Sequence, residues 1–174
     1  MKIIKARIEG LLIIKPKINE DDRGYFFESF NKEKLDFINY NFVQDNESKS
    51  CKDVIRGMHF QIEPYAQGKL IRVIKGSALD VAVDIRKDSP TYKQYESIIL
   101  SDRNKLMFWI PPGFAHGFRT LEDDTIFFYK CTNVYNKECE RNFLWNDPEI
   151  NIDWGINNPI LSDRDNTASL IKDL

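Results

Sequence analysis

The chain has 174 residues, a length that suits one domain with a real hydrophobic core. Hydrophobic residues make up 42% and charged residues 30%, and 25 basic against 27 acidic side chains leave a formal net charge of -2, which gives no general attraction to nucleic acid. No apolar run approaches the ~18 residues of a membrane helix, and charges through Met1–Arg7 break the apolar stretch of a signal peptide, so the expectation is a cytoplasmic protein that binds neither nucleic acid nor membrane.

In chain order the elements read as short strands. Leu11–Ile14 is a β-branched run ended by Pro16, Tyr25–Phe30 is aromatic-rich, and Asn31 is placed to cap a short helix over Lys32–Phe37. Val54–Gln61 reads as a strand carrying Arg56 and His59 near its end, and Leu70–Ile74 is followed by the turn signal Gly76-Ser77. Leu79–Ile85 alternates strictly, with Leu79, Val81, Val83 and Ile85 on one face. Tyr95–Leu100, Leu106–Ile110, Phe114–Thr120 and Thr125–Cys131 continue the series, separated by turn-rich segments such as Lys87–Pro90 and Pro111–Gly113. A short helix is expected after Asp163. No repeat or linker divides the chain, so residues 1–174 read as one unit. Many short strands at regular spacing predict an all-β antiparallel sandwich or barrel, with a jelly roll preferred and helix confined to a few short turns.

Side chains suited to chemistry are few. Cys51, Cys131 and Cys139 are an odd set without a CxxC pair, which argues against a disulfide framework and a thiolate zinc site. With only His59 and His116 present, a metal-binding jelly roll's HxH pair, third histidine and carboxylate cannot be assembled, so no metal is expected. A lone histidine is ordinarily a hydrogen-bonded structural residue, but an imidazole with an unperturbed pKa of ~6.5 also accepts a proton near neutral pH. Lys69 shares a strand face with Ile71 and Val73, so it either reaches solvent from the strand end or sits inward, where it requires a polar or anionic partner. Tyr129 shares a face with Phe127 and Cys131 and reads first as a core tyrosine. The segment Trp109–Phe118 packs aromatics, prolines and glycines around His116, which suits a rigid turn that projects it towards a cavity. Strict alternation puts Arg56 and His59 on opposite faces, so they serve one site only through a bulge, a strand end or a dimer interface.

Eight segments in order carry a resemblance: Asp22–Phe30, Gln44-Asp45-Asn46, Arg56–Gln61, Lys69–Val73, Asp80–Arg86, Ile110–Phe118, Trp145–Pro148 and Leu161–Asp165. Together they are similar to the dTDP-4-dehydrorhamnose 3,5-epimerase family, a cupin-type jelly roll, from about Leu11 to Asp165. The resemblance implies an isomerase of deoxysugar and polysaccharide biosynthesis, converting dTDP-4-dehydro-6-deoxy-D-glucose to dTDP-4-dehydro-L-rhamnose without a cofactor. It implies His59 as base with Asp165 behind it, Tyr129 as acid on the opposite sugar face, and Lys69 at the enolate oxygen. Arg23, Glu28, Gln44, Asn46, Arg56, His116 and Glu140 fall at positions that contact the nucleotide sugar, Tyr135 at one that stacks on the base, and Arg164 at a phosphate-binding position where lysine is common. It also implies a homodimer that exchanges N-terminal strands. Phe60 in place of a frequent tyrosine, and a polar Phe118–Asp124 stretch, depart from the pattern. A mono-epimerase acting at C3 or C5 only, an enzyme for another nucleotide, and a non-catalytic nucleotide-sugar-binding module are alternatives. A metal-dependent oxygenase on the same fold is disfavoured by the missing HxH.

The residues suit that chemistry. Hydrogens on carbons beside a ketone are acidic because the anion delocalises onto the carbonyl oxygen, so the substrate brings its own electron sink. A positioned base or acid supplies ~10² to 10⁴ in rate, and fixed positive charge at the enolate oxygen must add several kcal/mol. Inversion also needs a proton from the other face, which a phenol with a pKa near ~10 retains and can donate. The negative diphosphate suits Arg23, Arg56 and Arg164.

Overall fold

A computed structural model describes residues 1–174 as two packed antiparallel sheets. The strands are β1 (Lys2–Lys5), β2 (Leu12–Lys15), β3 (Asn19–Asp21), β4 (Gly24–Phe26), β5 (Gln44–Ser50), β6 (Ile55–Gln61) and β7 (Lys69–Lys75). They continue as β8 (Ser77–Asp84), β9 (Tyr95–Ser101), β10 (Met107–Ile110), β11 (Phe114–Thr120), β12 (Thr125–Cys131) and β13 (Glu140–Asn142). One sheet has the order β1-β2-β10-β7-β12-β5 and the other β13-β6-β11-β8-β9, while β3 and β4 form a separate two-stranded ribbon. The only α-helix is the single turn α1, Asp163–Asn166. This is the expected jelly roll, and no helix is long and apolar enough to cross a membrane.

Apolar side chains are buried in three layers. Between the sheets, Ile71, Val73, Phe108 and Phe127 of one face meet Ala78, Ala82, Phe114 and Phe118 of the other. Outside the five-stranded sheet, Ile55, Met58, Val81 and Val83 are covered by the C-terminal segment through Phe143, Trp145, Trp154 and Ile171. Outside the six-stranded sheet, Ile14, Leu70, Met107 and Trp109 are covered by Leu35 and Ile38. Each fully buried large apolar side chain contributes roughly 1.5–3 kcal/mol.

This layering explains where alternation misleads. Leu79, Val81, Val83 and Ile85 do share a face, packed under the C-terminal segment. The opposite face of β8 is also buried, with Asp80 and Asp84 at 0% exposure, because it turns into the barrel. The N-terminal elements differ more from expectation. Tyr25–Phe30 is a strand only at its start, since the partner β3 has three residues, Asn19–Asp21, to pair with. Asn31 does cap, its Oδ1 accepting from the N–H groups of Glu33 (3.1 Å) and Lys34 (3.2 Å). The turn nevertheless closes as a 3-10 segment at Asp36–Ile38 instead of a helix over Lys32–Phe37, ending on Asn39 in the left-handed conformation. Strand β5, of sequence QDNESKS, carries no hydrophobic pattern; it exists because β12 pairs with it along its whole length.

Candidate active site

A cleft of about 300 Å³ enters the barrel and is lined by Arg56, His59, Lys69, His116, Tyr129, Arg164 and Asp165, together with Ser48, Phe118 and Ser162. A larger groove of about 540 Å³ along Phe30–Phe42 carries no histidine, cysteine or arginine.

Strand β6 delivers Arg56 and His59 to one cleft through a break in its pleat. The β6–β11 register pairs His59 with His116 and Arg56 with Phe118, and it shifts between those pairs. Gly57 makes the shift possible. Its φ is +147°, and a Cβ there would lie 2.6 Å from Gly117 Cα, so a glycine on each strand is needed for the approach.

His59 Nε2 lies 2.6 Å from Asp165 Oδ1, with the imidazole 30% and the carboxylate 4% exposed. A carboxylate accepts, so Nε2 carries the proton and Nδ1 the lone pair. Burial alone would push the Asp165 carboxyl up; hydrogen bonds with His59, Ser162 and the Gly57 N–H outweigh it and hold the group below its ordinary value. Asp165 sits on α1, which Ser162 caps by accepting from the Asp165 N–H at 3.2 Å.

Lys69 starts β7 on the inward face with Ile71 and Val73 and forms no ion pair. Burial lowers its pKa, partly offset by the charges of Asp80 and Glu140 and by Cys131. Its ammonium is 5.8 Å from the ring centroid of Tyr129. Tyr129 faces inward beside Phe127, with Asn46 opposite across the β5–β12 ladder. Burial raises its pKa, so the phenol stays protonated at neutral pH.

His116 lies on β11, beyond the Pro111–Gly113 turn, with its ring inside the barrel and 6.0 Å from that of Phe127. Its Nε2 is 2.6 Å from Asp80 Oδ1, both side chains being buried. Burial lowers the His116 pKa, against the pull of Asp80. No group of three or more His, Cys, Asp or Glu side chains converges as a metal site.

The remaining expected contacts divide in two. Glu140 Oε2 accepts from Arg164 Nη1 at 2.7 Å and from the Tyr135 hydroxyl at 2.8 Å. The Tyr135 N–H donates to Gln44 Oε1 at 2.8 Å, and Gln44 Nε2 donates to Asn46 Oδ1 at 3.0 Å. Through Arg164, which lines the cleft, Glu140, Tyr135, Gln44 and Asn46 are therefore tied to it. Arg23 and Glu28 are not among its lining residues in a single chain: Arg23 pairs with Asp21 on the exposed β3–β4 ribbon, and Glu28 binds Asn31 and Lys34. Sequence reasoning missed Ser48, Phe118, Ser162 and the buried Asp80. Ser48 had a usable signal, since it is two residues from Asn46 and four from Gln44 on one strand face.

Comparison with known proteins bears on this site. A family model described as dTDP-4-dehydrorhamnose 3,5-epimerase matches residues 5–173. A dTDP-4-dehydrorhamnose 3,5-epimerase from Shigella flexneri is 52% identical over 168 residues, covering 95% of this chain and 93% of the relative. Among solved structures, a dTDP-4-dehydrorhamnose 3,5-epimerase from Elizabethkingia anophelis superposes with a TM-score of 0.94 at 44% identity, over 99% of this chain and 97% of that one. A 3,5-epimerase from Legionella pneumophila, solved in complex with dTDP-4-keto-L-rhamnose, also has a TM-score of 0.94, at 46% identity over 98% and 93% of the two chains. On the match of sequence and fold over almost its whole length, this chain belongs to the dTDP-4-dehydrorhamnose 3,5-epimerase family.

Proposed function

We propose that the protein inverts C3 and C5 of dTDP-4-dehydro-6-deoxy-D-glucose to give dTDP-4-dehydro-L-rhamnose. The observation that carries this reading is the His59–Asp165 dyad lining the same cleft as an unpaired Lys69 and a protonated Tyr129. His59 Nδ1 takes the proton beside the ketone, and Asp165 steadies the imidazolium that forms. Lys69 carries the positive charge for the enolate oxygen, worth several kcal/mol where the charge develops. Tyr129 returns a proton from the other side of the ring, which converts exchange into inversion. The ketone is the electron sink, so the reaction as proposed runs on these side chains with no resident cofactor. Arg56, Arg164, Gln44, Asn46, Glu140, His116 and Tyr135 hold the nucleotide sugar, whose remote part supplies the energy that orients the reacting ring.

The working unit is a homodimer in the cytoplasm. The β3–β4 ribbon exposes Tyr25 (56%) and Phe26 (69%), and β1 exposes Ile3 and Ile4. These apolar surfaces favour cover by a second copy, with Arg23 and Glu28 reaching into the partner's cleft.

An NMR assay in D₂O with dTDP-4-keto-6-deoxyglucose tests the reading. The expected result is deuterium at both C3 and C5 in an inverted product. Exchange at one carbon would make the protein a mono-epimerase, and binding without exchange would make it a nucleotide-sugar-binding module.

A further inference from the structure

We propose that Glu140 is a positioning residue for the base: through Arg164 it holds the helical turn that presents Asp165 to His59, and through Tyr135 it ties that turn to the nucleotide end of the site. The inference rests on His59 being the base.

Helix α1 is only Asp163–Asn166. A helix of one turn has no stability of its own, because nucleation costs more than one hydrogen bond returns. Where Asp165 points is therefore set by what tethers the turn. Apart from the Ser162 cap, the Gly57 N–H on the Asp165 carboxylate and the dyad itself, two side-chain tethers come from one strand. Asn142 Nδ2 donates to the Arg164 carbonyl at 3.3 Å, and Glu140 Oε2 accepts from Arg164 Nη1 at 2.7 Å. Both residues lie on β13, which pairs with β6 so that Asn142 faces His59 and Glu140 faces Gln61. The strand beside the base thus also holds the turn that carries the base's carboxylate.

The same Glu140 oxygen accepts from the Tyr135 hydroxyl at 2.8 Å. Burial would push the Glu140 carboxyl up, but the Arg164 and Tyr135 hydrogen bonds hold it below its ordinary value, so it is charged at neutral pH. Arg164 is 47% exposed and Glu140 16%. The Arg164 end of the pair is open to solvent, which limits what the pair adds to stability, and Glu140→Gln keeps the size of the side chain, so the change is compatible with folding.

Kinetics separate positioning from simple substrate contact. A contact made equally in ground and transition states raises KM alone when lost. Positioning instead lowers the saturated rate, because small displacements of a catalytic group are costly. Glu140→Gln is expected to slow solvent-deuterium wash-in at saturating substrate by about 10-fold or more. In an Arg164→Gln background the same change is expected to cost markedly less than in wild type, since the two residues share one contact and only the Tyr135 contact of Glu140 is left to lose. A rise in KM with the saturated rate within about two-fold of wild type, or losses that multiply in the double variant, would overturn the proposal. Undiminished wash-in by His59→Asn would instead overturn the base assignment on which it rests, so the two failures are distinguishable.

Discussion

Gly57 and Gly117 stand face to face on neighbouring strands, close enough that a Cβ on Gly57 would lie 2.6 Å from Gly117 Cα. That contact lets β6 and β11 shift register, and the shift puts Arg56 and His59, which simple alternation would separate, into one cleft. Gly57→Ala meets both a backbone collision and a φ of +147° that side chains avoid. The expected cost is at least about 2 kcal/mol, read as a lower urea midpoint, with wash-in reduced in whatever protein remains folded. A variant of wild-type stability and rate would remove the register shift from the account.

His59→Asn is expected to abolish wash-in at the inverted carbons, and Asp165→Asn to slow it by on the order of 10² to 10⁴, since the amide can hold the wrong tautomer. Tyr129→Phe is expected to keep exchange while losing inverted product. Deuterium content and coupling constants in one NMR time course report both quantities. Full epimerisation by Tyr129→Phe would reassign the acid.

Burial lowers the Lys69 pKa below the ordinary 10.5. The charged form, which the proposed enolate contact requires, therefore exists below that lowered value and disappears as pH rises through it. The pH profile of kcat/KM is expected to fall on its alkaline side earlier than an exposed lysine would allow. Lys69→Arg, which keeps its charge at any such pH, is expected to run more slowly and to lose that limb. An alkaline limb unchanged in Lys69→Arg would assign it to another group.

Asp84 tests the fold apart from the site. Burial would raise its pKa, but hydrogen bonds from Arg86, Ser89 and Thr91 bring it down from 3.8 to about 2. The folded value is the lower one, so the stabilisation is complete above pH 3.8 and is lost as pH falls towards 2. It amounts to about 2 kcal/mol. Wild type and Asp84→Asn should therefore differ most in urea midpoint near neutral pH and converge below pH 3. A gap that widens on acidification would contradict the assignment.

Subunit exchange tests the dimer. If Arg23 serves the partner's cleft, a mixture of inactive His59→Asn and Arg23→Ala proteins regains activity, because one cleft of each mixed dimer holds both intact residues. At most about a quarter of wild-type activity is expected after statistical exchange. No recovery in dimers shown to have exchanged would keep Arg23 within its own chain.

Much of this was legible in the amino-acid order. Strands β11 and β12 run over the predicted residues, because apolar and aromatic side chains alternate between two turn signals. The chemistry-bearing side chains were also visible as types: two histidines, a lysine leading an apolar strand, and a tyrosine among phenylalanines. Strand β5 was not legible, because a strand facing a polar cleft carries polar residues where a core strand carries apolar ones. Nor was Asp80, whose carboxyl group sits at 0% exposure with one oxygen 2.6 Å from His116 Nε2 on the neighbouring strand.

The sequence by itself therefore determined the architecture and the inventory of reactive groups, because strand periodicity and residue chemistry are local properties. Which groups meet was implied by the family resemblance, but physically it is the tertiary structure that brings them together. His59 and Asp165 are 106 residues apart and 2.6 Å from each other, and a contact across that separation depends on sheet register, on a glycine-lined bulge and on a one-turn helix tethered from β13. None of these is encoded in a local window, since each is stabilised by parts of the chain that become neighbours only after folding.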